Sequence, residues 1–207
     1  MISLNLRALA LFGTLGLAAC TSAPTHYYTL VATAPDNTPR TNVTTPAFQF
    51  EMQPVRVPVQ ADQPQVVIRH SNGILALMET DRWSAPLADE FHDALAAQME
   101  LKLGTRDLAG FPKVAGIPLL ALQTDVRRFD SVQGQYALID VLWSLRLRGD
   151  GVKNRSLTCS NVIRQPAGGQ VQELVVAHQQ AIAQLAGIIA STASNWSKQS
   201  GTGCPQG

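Results

Sequence analysis

The 207-residue chain is poor in most features that settle a protein's class at a glance. Three cysteines are too few for a small domain built on disulfides. Charged residues make up only 15% while 45% are hydrophobic, which excludes a disordered tail protein. Lys and Arg number 16 against 15 Asp and Glu, a formal net charge of +1. A nucleic-acid binder living on phosphate contacts needs a basic surface, and this balance supplies none. The signatures of common enzymes are missing too: there is no G-x-S-x-G elbow, Walker A, G-x-G-x-x-G or H-E-x-x-H. His26, His70, His92 and His178 are scattered, and none has a second ligand three or four residues on. His92 and His178 fall on helical patterns, where a surface or core-edge role is expected. Asp89 and Glu90 are adjacent, but helix neighbours point about 100° apart, so they suit the positive end of a helix dipole better than a shared site. No catalytic residue, metal or cofactor is therefore expected.

The most specific signal is at the N-terminus. Met1 to Arg7 is a short, weakly positive start, and Ala8 to Leu17 runs without a charge. Ten helical residues span about 15 Å, half of a hydrocarbon core of roughly 30 Å. That is a signal-peptide core and not a transmembrane helix. Leu17-Ala18-Ala19-Cys20 then resembles the bacterial lipobox. In a lipobox the cysteine thiol is diacylglycerylated, the leader is cut before it, and the new amine is acylated. Three acyl chains, each worth about 0.8 kcal/mol per buried methylene, anchor the protein for good. Thr21 stands where an Asp would resemble the inner-membrane retention signal, so the outer membrane of a diderm bacterium is expected, with the protein facing the periplasm. No later stretch reads as long and apolar enough to span a bilayer. Removing residues 1–19 takes away one charge, Arg7, and leaves a balance of zero.

The rest divides into a lipidated tether (20–25), a domain (26–199) and a short tail (200–207). His26 to Val31 is aromatic and β-branched and reads as a strand. Ala34 to Pro46 is a proline- and threonine-rich loop. Phe48, Phe50 and Met52 alternate, and the phase flips at Pro54 to Val55, Val57 and Val59, which suggests a bulge or an edge strand. Two short strands flank Ser71-Asn72-Gly73, where Asn-Gly suggests a type I′ turn. A helix follows, with Pro86 in its first turn, Ser84 or Ala85 as the cap, a stripe at Leu87, Phe91, Leu95, Met99 and Leu103, and a stop at Gly104. Leu119–Asp130 and Tyr136–Arg148 are long strands, and Ser156–Arg164 a weaker one. A second helix carries Val171, Leu174, Ile182, Leu185, Ile189 and Trp196 at three- and four-residue spacing. The expected fold is α+β: one compact domain with a mainly antiparallel sheet and two long helices packed on one face. Cys159 and Cys204 would meet an oxidising periplasm, where a disulfide can persist. Closing such a loop is worth roughly 3–4 kcal/mol on the chain-entropy estimate; two free thiols are the alternative.

Four motifs occur in order after the lipobox: Tyr27-Tyr28-Thr29-Leu30, Val55-Arg56-Val57-Pro58, Asp62-Gln63-Pro64-Gln65-Val66-Val67, and Asp81-Arg82-Trp83-Ser84-Ala85-Pro86-Leu87. This order resembles the PqiC/YmbA-type ABC-transport auxiliary lipoproteins across essentially the whole mature chain. Gln63 departs from the arginine usual there. The resemblance implies a non-catalytic accessory subunit working with membrane-anchored MCE-domain proteins that move lipids between inner and outer membranes. An accessory of an oligomeric partner is also a candidate homo-oligomer. Trp83, Pro64 and Pro86 read as structural, Trp83 as a core plug. Of Tyr27 and Tyr28, neighbours on a strand, one should face the core and one the surface. The exposed tyrosine and the edge near Pro58 are the places to look for a partner contact. A stand-alone periplasmic lipid carrier is the alternative; a lipoprotein hydrolase is disfavoured by the missing nucleophile motifs. Cys20→Ala should leave an unprocessed precursor that takes up no radiolabelled palmitate, and normal labelling of that variant would refute the lipobox.

Overall fold

The computed structural model describes residues 23–33, 46–149, 151–199 and 203–205. Cys20 and its leader lie outside these residues. The elements run β1 (His26–Tyr28), β2 (Gln49–Met52), β3 (Gln65–Arg69), β4 (Leu75–Trp83), α1 (Leu87–Leu103), β5 (Leu119–Val132), β6 (Tyr136–Arg148), β7 (Arg155–Pro166) and α2 (Val171–Lys198). The class is α+β, as expected, but the strands form two mixed sheets ordered β2-β5-β6-β7 and β1-β4-β3. The meander β5-β6-β7 is antiparallel, whereas β2 joins β5 and β1 joins β4 in parallel. Hairpins need only a few linking residues, and a parallel pair needs a long crossover. Alternation within β1 or β2 gives no sign of so distant a partner.

Strand β6 shows why the long sheet has two different faces. Ala137, Ile139, Val141, Trp143, Leu145 and Leu147 point one way and are all buried. Trp143 keeps its indole N–H satisfied there by donating to Asn161 Oδ1 at 2.8 Å. The helix stripes join these residues in a single core, with α1 against α2 and α2 against β6 and β7. Helix α2 corrects one expectation: at 28 residues it is long and apolar enough to cross a membrane. It is a core helix instead, because Leu174, Ile182, Leu185, Ile189 and Trp196 are buried in this packing. Transferring such side chains from water is worth about 1.5–3 kcal/mol each, which the sheet already supplies.

The ends of the elements differ from expectation in two places, the cap of α1 and the β3–β4 turn, while the edge position expected around Pro54 is met by β2. Pro86 itself, not Ser84 or Ala85, is the N-cap of α1, while Gly104 closes the helix at φ 67°. The β3–β4 turn is a three-residue 3-10 turn over Ser71–Gly73, with His70 N–H donating to Ile74 O at 2.9 Å. Gly73 takes the left-handed position (φ 79°), so a three-residue hairpin loop replaces the expected type I′ turn. At Pro54 the chain leaves β5 and rejoins it at Arg56, whose carbonyl accepts from Val126 N–H at 2.8 Å. Helix α2 starts with a capping box between Gln170 and Glu173. Its last carbonyls, those of Trp196 and Ser197, accept from Arg155 at 2.6 and 2.9 Å.

Glu90 in the first turn of α1 does more than complement the helix dipole. Its carboxylate is only 4% exposed and accepts from Leu30 N–H and Thr29 Oγ1, both at 2.8 Å, and from Ser84 Oγ. It thereby ties the segment after β1 to the helix. Glu90→Ala would strand the Leu30 amide and cost about 2–3 kcal/mol. Urea unfolding together with amide exchange at Leu30 tests this: a loss below about 0.5 kcal/mol with unchanged protection contradicts the latch.

Candidate functional site

The motif residues are divided between the small sheet, which holds Tyr27, Tyr28 and Trp83, and the segment that bridges to β5 at Arg56. Tyr27 is 68% exposed, whereas Tyr28 is half-buried and donates to Asp81 Oδ1 at 2.9 Å. Burial, then the hydrogen bond to Asp81 and its charge, raise the Tyr28 phenol above its ordinary value. Trp83 is buried, edge-on to Phe129 at 6.0 Å between ring centres. The Trp83 backbone N–H donates to the Pro64 carbonyl at 2.9 Å, and the Ser84 backbone N–H donates to the Tyr28 carbonyl at 2.8 Å. Pro64, Trp83 and the tyrosine strand are thus linked through the backbone of the small sheet. Pro58 is half-buried, and its carbonyl accepts from Ala61 and Asp62 N–H in a tight turn. Gln63 donates to Val59 O at 3.4 Å. Cys159, buried on β7, and Cys204 are joined as a disulfide, with Cα atoms 5.5 Å apart, so the described tail residues are fastened to the sheet.

Folding assembles one cluster that spacing alone does not reveal. Asp130, 2% exposed on β5, receives Arg69 Nε at 2.7 Å and Arg128 at 2.5 Å. Beside it Ser131 Oγ lies 2.9 Å from His178 Nε2 of α2, and the imidazole stacks on Phe129 at 3.8 Å. A serine near a histidine invites comparison with a hydrolytic dyad. Here the histidine is 0% exposed, and its Nδ1 has no hydrogen-bond partner among the described residues. A working triad needs a group at that nitrogen to orient the ring, and a serine that substrate can reach. The pair is a core contact, which corrects the expectation that His178 sits at the surface or core edge. Serine and histidine 47 residues apart carry no sequence signal; only the periodicity of α2 hinted that His178 shares its buried stripe.

The other face of the long sheet is open. A cleft of about 230 Å³ lies on it, lined by Gln53, Pro54, Ala121, Gln123, Ser144, Arg146 and Arg148. Register explains the set: Gln123 faces Ser144, Ala121 faces Arg146 and Leu119 faces Arg148 across β5–β6. Beside the cleft Glu51 pairs with Lys113 at 2.6 Å and with Arg148 at 3.6 Å. Among the described residues no group of three His, Cys, Asp or Glu side chains could hold a metal ion.

Residues 28–190 match the family of ABC-type transport auxiliary lipoprotein components, and the chain belongs to that family. Among solved structures it is similar to an uncharacterized protein, at 17% identity and a TM-score of 0.62 over 83% of this chain and all of that one. It is also similar to a Xanthomonas campestris protein, at 18% identity and a TM-score of 0.57 over 84% of this chain and 98% of that one. At such identities these two likenesses establish the fold alone. No curated protein matches the chain. Membership makes this an auxiliary component of a transport system and a membrane-anchored lipoprotein.

The buried imidazole has a measurable consequence. Burial pushes His178 down to about 3, against the opposing pull of the Asp130 charge. Since that lies below the unfolded value of about 6.5, the unfolded chain takes up the proton first. Stability is full above pH 6.5 and falls as pH drops toward 3, by up to about 1.4 kcal/mol per unit from this group. Urea unfolding between pH 7.5 and 4 should show a shallower acid slope for His178→Gln than for wild type; parallel slopes contradict the assignment.

Proposed function

We propose that the protein is an outer-membrane-anchored, non-catalytic accessory subunit of an MCE-type intermembrane lipid transport system. The observation that carries this reading is the family match over residues 28–190. The lipobox at Cys20 supports it by supplying the anchor, and Thr21 after the cysteine favours the outer membrane. The buried Ser131–His178 pair, closed to substrate, favours a docking part over a hydrolase. A self-contained carrier would need an apolar cavity, and sites for drug-sized ligands alone enclose roughly 300–1,000 Å³. The cleft on the open face of the long sheet is open, polar and about 230 Å³. Exposed Tyr27 and the edge leading to Pro58 are the proposed contacts with the MCE-domain partner, and the chain is a candidate homo-oligomer there.

Purification of the tagged full-length protein from envelopes in neutral detergent tests this. A co-purifying MCE-domain protein at fixed stoichiometry is expected. Recovery of the protein alone, carrying stoichiometric phospholipid, would replace the accessory role with the carrier role.

A further inference from the structure

We infer that the cleft on the open face of the long sheet is a binding site for a phosphate group, either a phospholipid headgroup or the free ion. The cleft is lined by hydrogen-bonding side chains from three segments and by no carboxylate. Arg146 and Arg148 are two residues apart on β6 and therefore project from the same face. Arg146 is exposed and makes no ion pair among the described residues. Arg148 is held only loosely, at 3.6 Å, by Glu51, whose other oxygen is already taken by Lys113 at 2.6 Å. The next carboxylate along the same face, Asp125, is paired with Arg56 at 3.0 Å. Four cations thus stand against two carboxylates, and each carboxylate has its own partner. That leaves a local excess of positive charge on a protein whose formal net charge is only +1.

The neutral groups fit the same ligand. Ser144 Oγ accepts from Thr158 Oγ1 at 3.3 Å, so its own proton is free to be donated into the cleft. Gln123, directly across from Ser144, adds an amide. A guanidinium presents a planar fork that matches phosphate oxygens in pairs, which a lysine cannot do. Two such forks with a hydroxyl and an amide recognise a tetrahedral anion. The cleft has room for a phosphate and its ester substituents but not for acyl chains, which would have to remain outside. This site is independent of which protein the chain docks to.

The test titrates full-length protein in neutral detergent, at constant ionic strength, with inorganic phosphate and separately with water-soluble dihexanoyl phosphatidylglycerol, followed by ³¹P line broadening. Saturable binding of at least one probe is expected. Tighter binding of the lipid assigns the site to a headgroup; equal or tighter binding of phosphate assigns it to the free ion. Arg146→Gln with Arg148→Gln should weaken binding at least about tenfold, since hydrogen bonds to charged groups contribute roughly 1.5–3 kcal/mol each. Arg146→Lys should fall between, because it keeps the charge and loses the fork. Arg106→Gln, which removes a positive charge elsewhere, should bind as wild type. The Arg146 side chain has no hydrogen-bond or ion-pair partner to lose among the described residues, so its variants should also keep the wild-type melting temperature. The inference is overturned if neither probe saturates, or if the double Arg variant binds as tightly as wild type.

Discussion

Everything in this protein depends on one sheet having a dry face and a wet face. Strands β5, β6 and β7 are 14, 13 and 12 residues long, far longer than a typical strand. A sheet of that size must bury one side, and the helices do so with their apolar stripes. Their burial in turn fixes how the caps, the disulfide and the N-terminal strand are placed. The opposite face carries Glu51, Gln123, Ser144, Arg146 and Arg148, and it remains available to a partner or a ligand. Interior packing is mainly apolar, and its buried polar groups, such as Glu90 and Asp130, bond to other parts of the chain.

The attachment of the N-terminal segment follows from the same arrangement. Leu30 is buried in the core, Glu90 holds its amide from α1, and Gln179 of α2 donates to the Thr29 carbonyl at 3.0 Å. Tyr28 adds its bond to Asp81 in the small sheet. Both helices and one strand therefore grip the chain within a few residues of the proposed tether. A six-residue tether reaches about 20 Å when fully extended. With the anchor at Cys20, the domain would stay close to the membrane, and a pull on the acyl chains would be borne by the core. The proposed accessory role, holding a larger assembly in place, would draw on that stiffness.

Sequence patterns disclosed the elements that have a period and missed what depends on distant partners. The six alternating residues of β6 and the five-residue stripe of α1, spaced four apart, are local, so their burial was readable residue by residue. The parallel pairing of β1 with β4 was not, because three residues hold no information about a strand more than 50 positions away. Glu90 was legible as a first-turn acid, yet its hold on Leu30 arises only when the two segments meet. His178 was masked by its polarity: helical spacing placed it on the buried stripe, and residue type argued for the surface. Arg146 and Arg148 alternate with the buried residues of β6, but the cleft appears only once the segment after β2 and strand β5 supply its other walls. Of the proposed function, the lipobox-like Leu17–Cys20 segment and four ordered motifs are read from the chain itself, while the fold links Tyr28, Pro64 and Trp83 through the backbone of the small sheet.

The central claim is that this lipoprotein holds a transport assembly at the outer membrane. The direct measurement separates inner and outer membranes on a density gradient, from cells with and without the protein, and quantifies the MCE-domain partner in each fraction. The account predicts that a share of the partner sediments with the outer membrane in the presence of the protein and leaves that fraction when it is deleted. A distribution unchanged by deletion would contradict it.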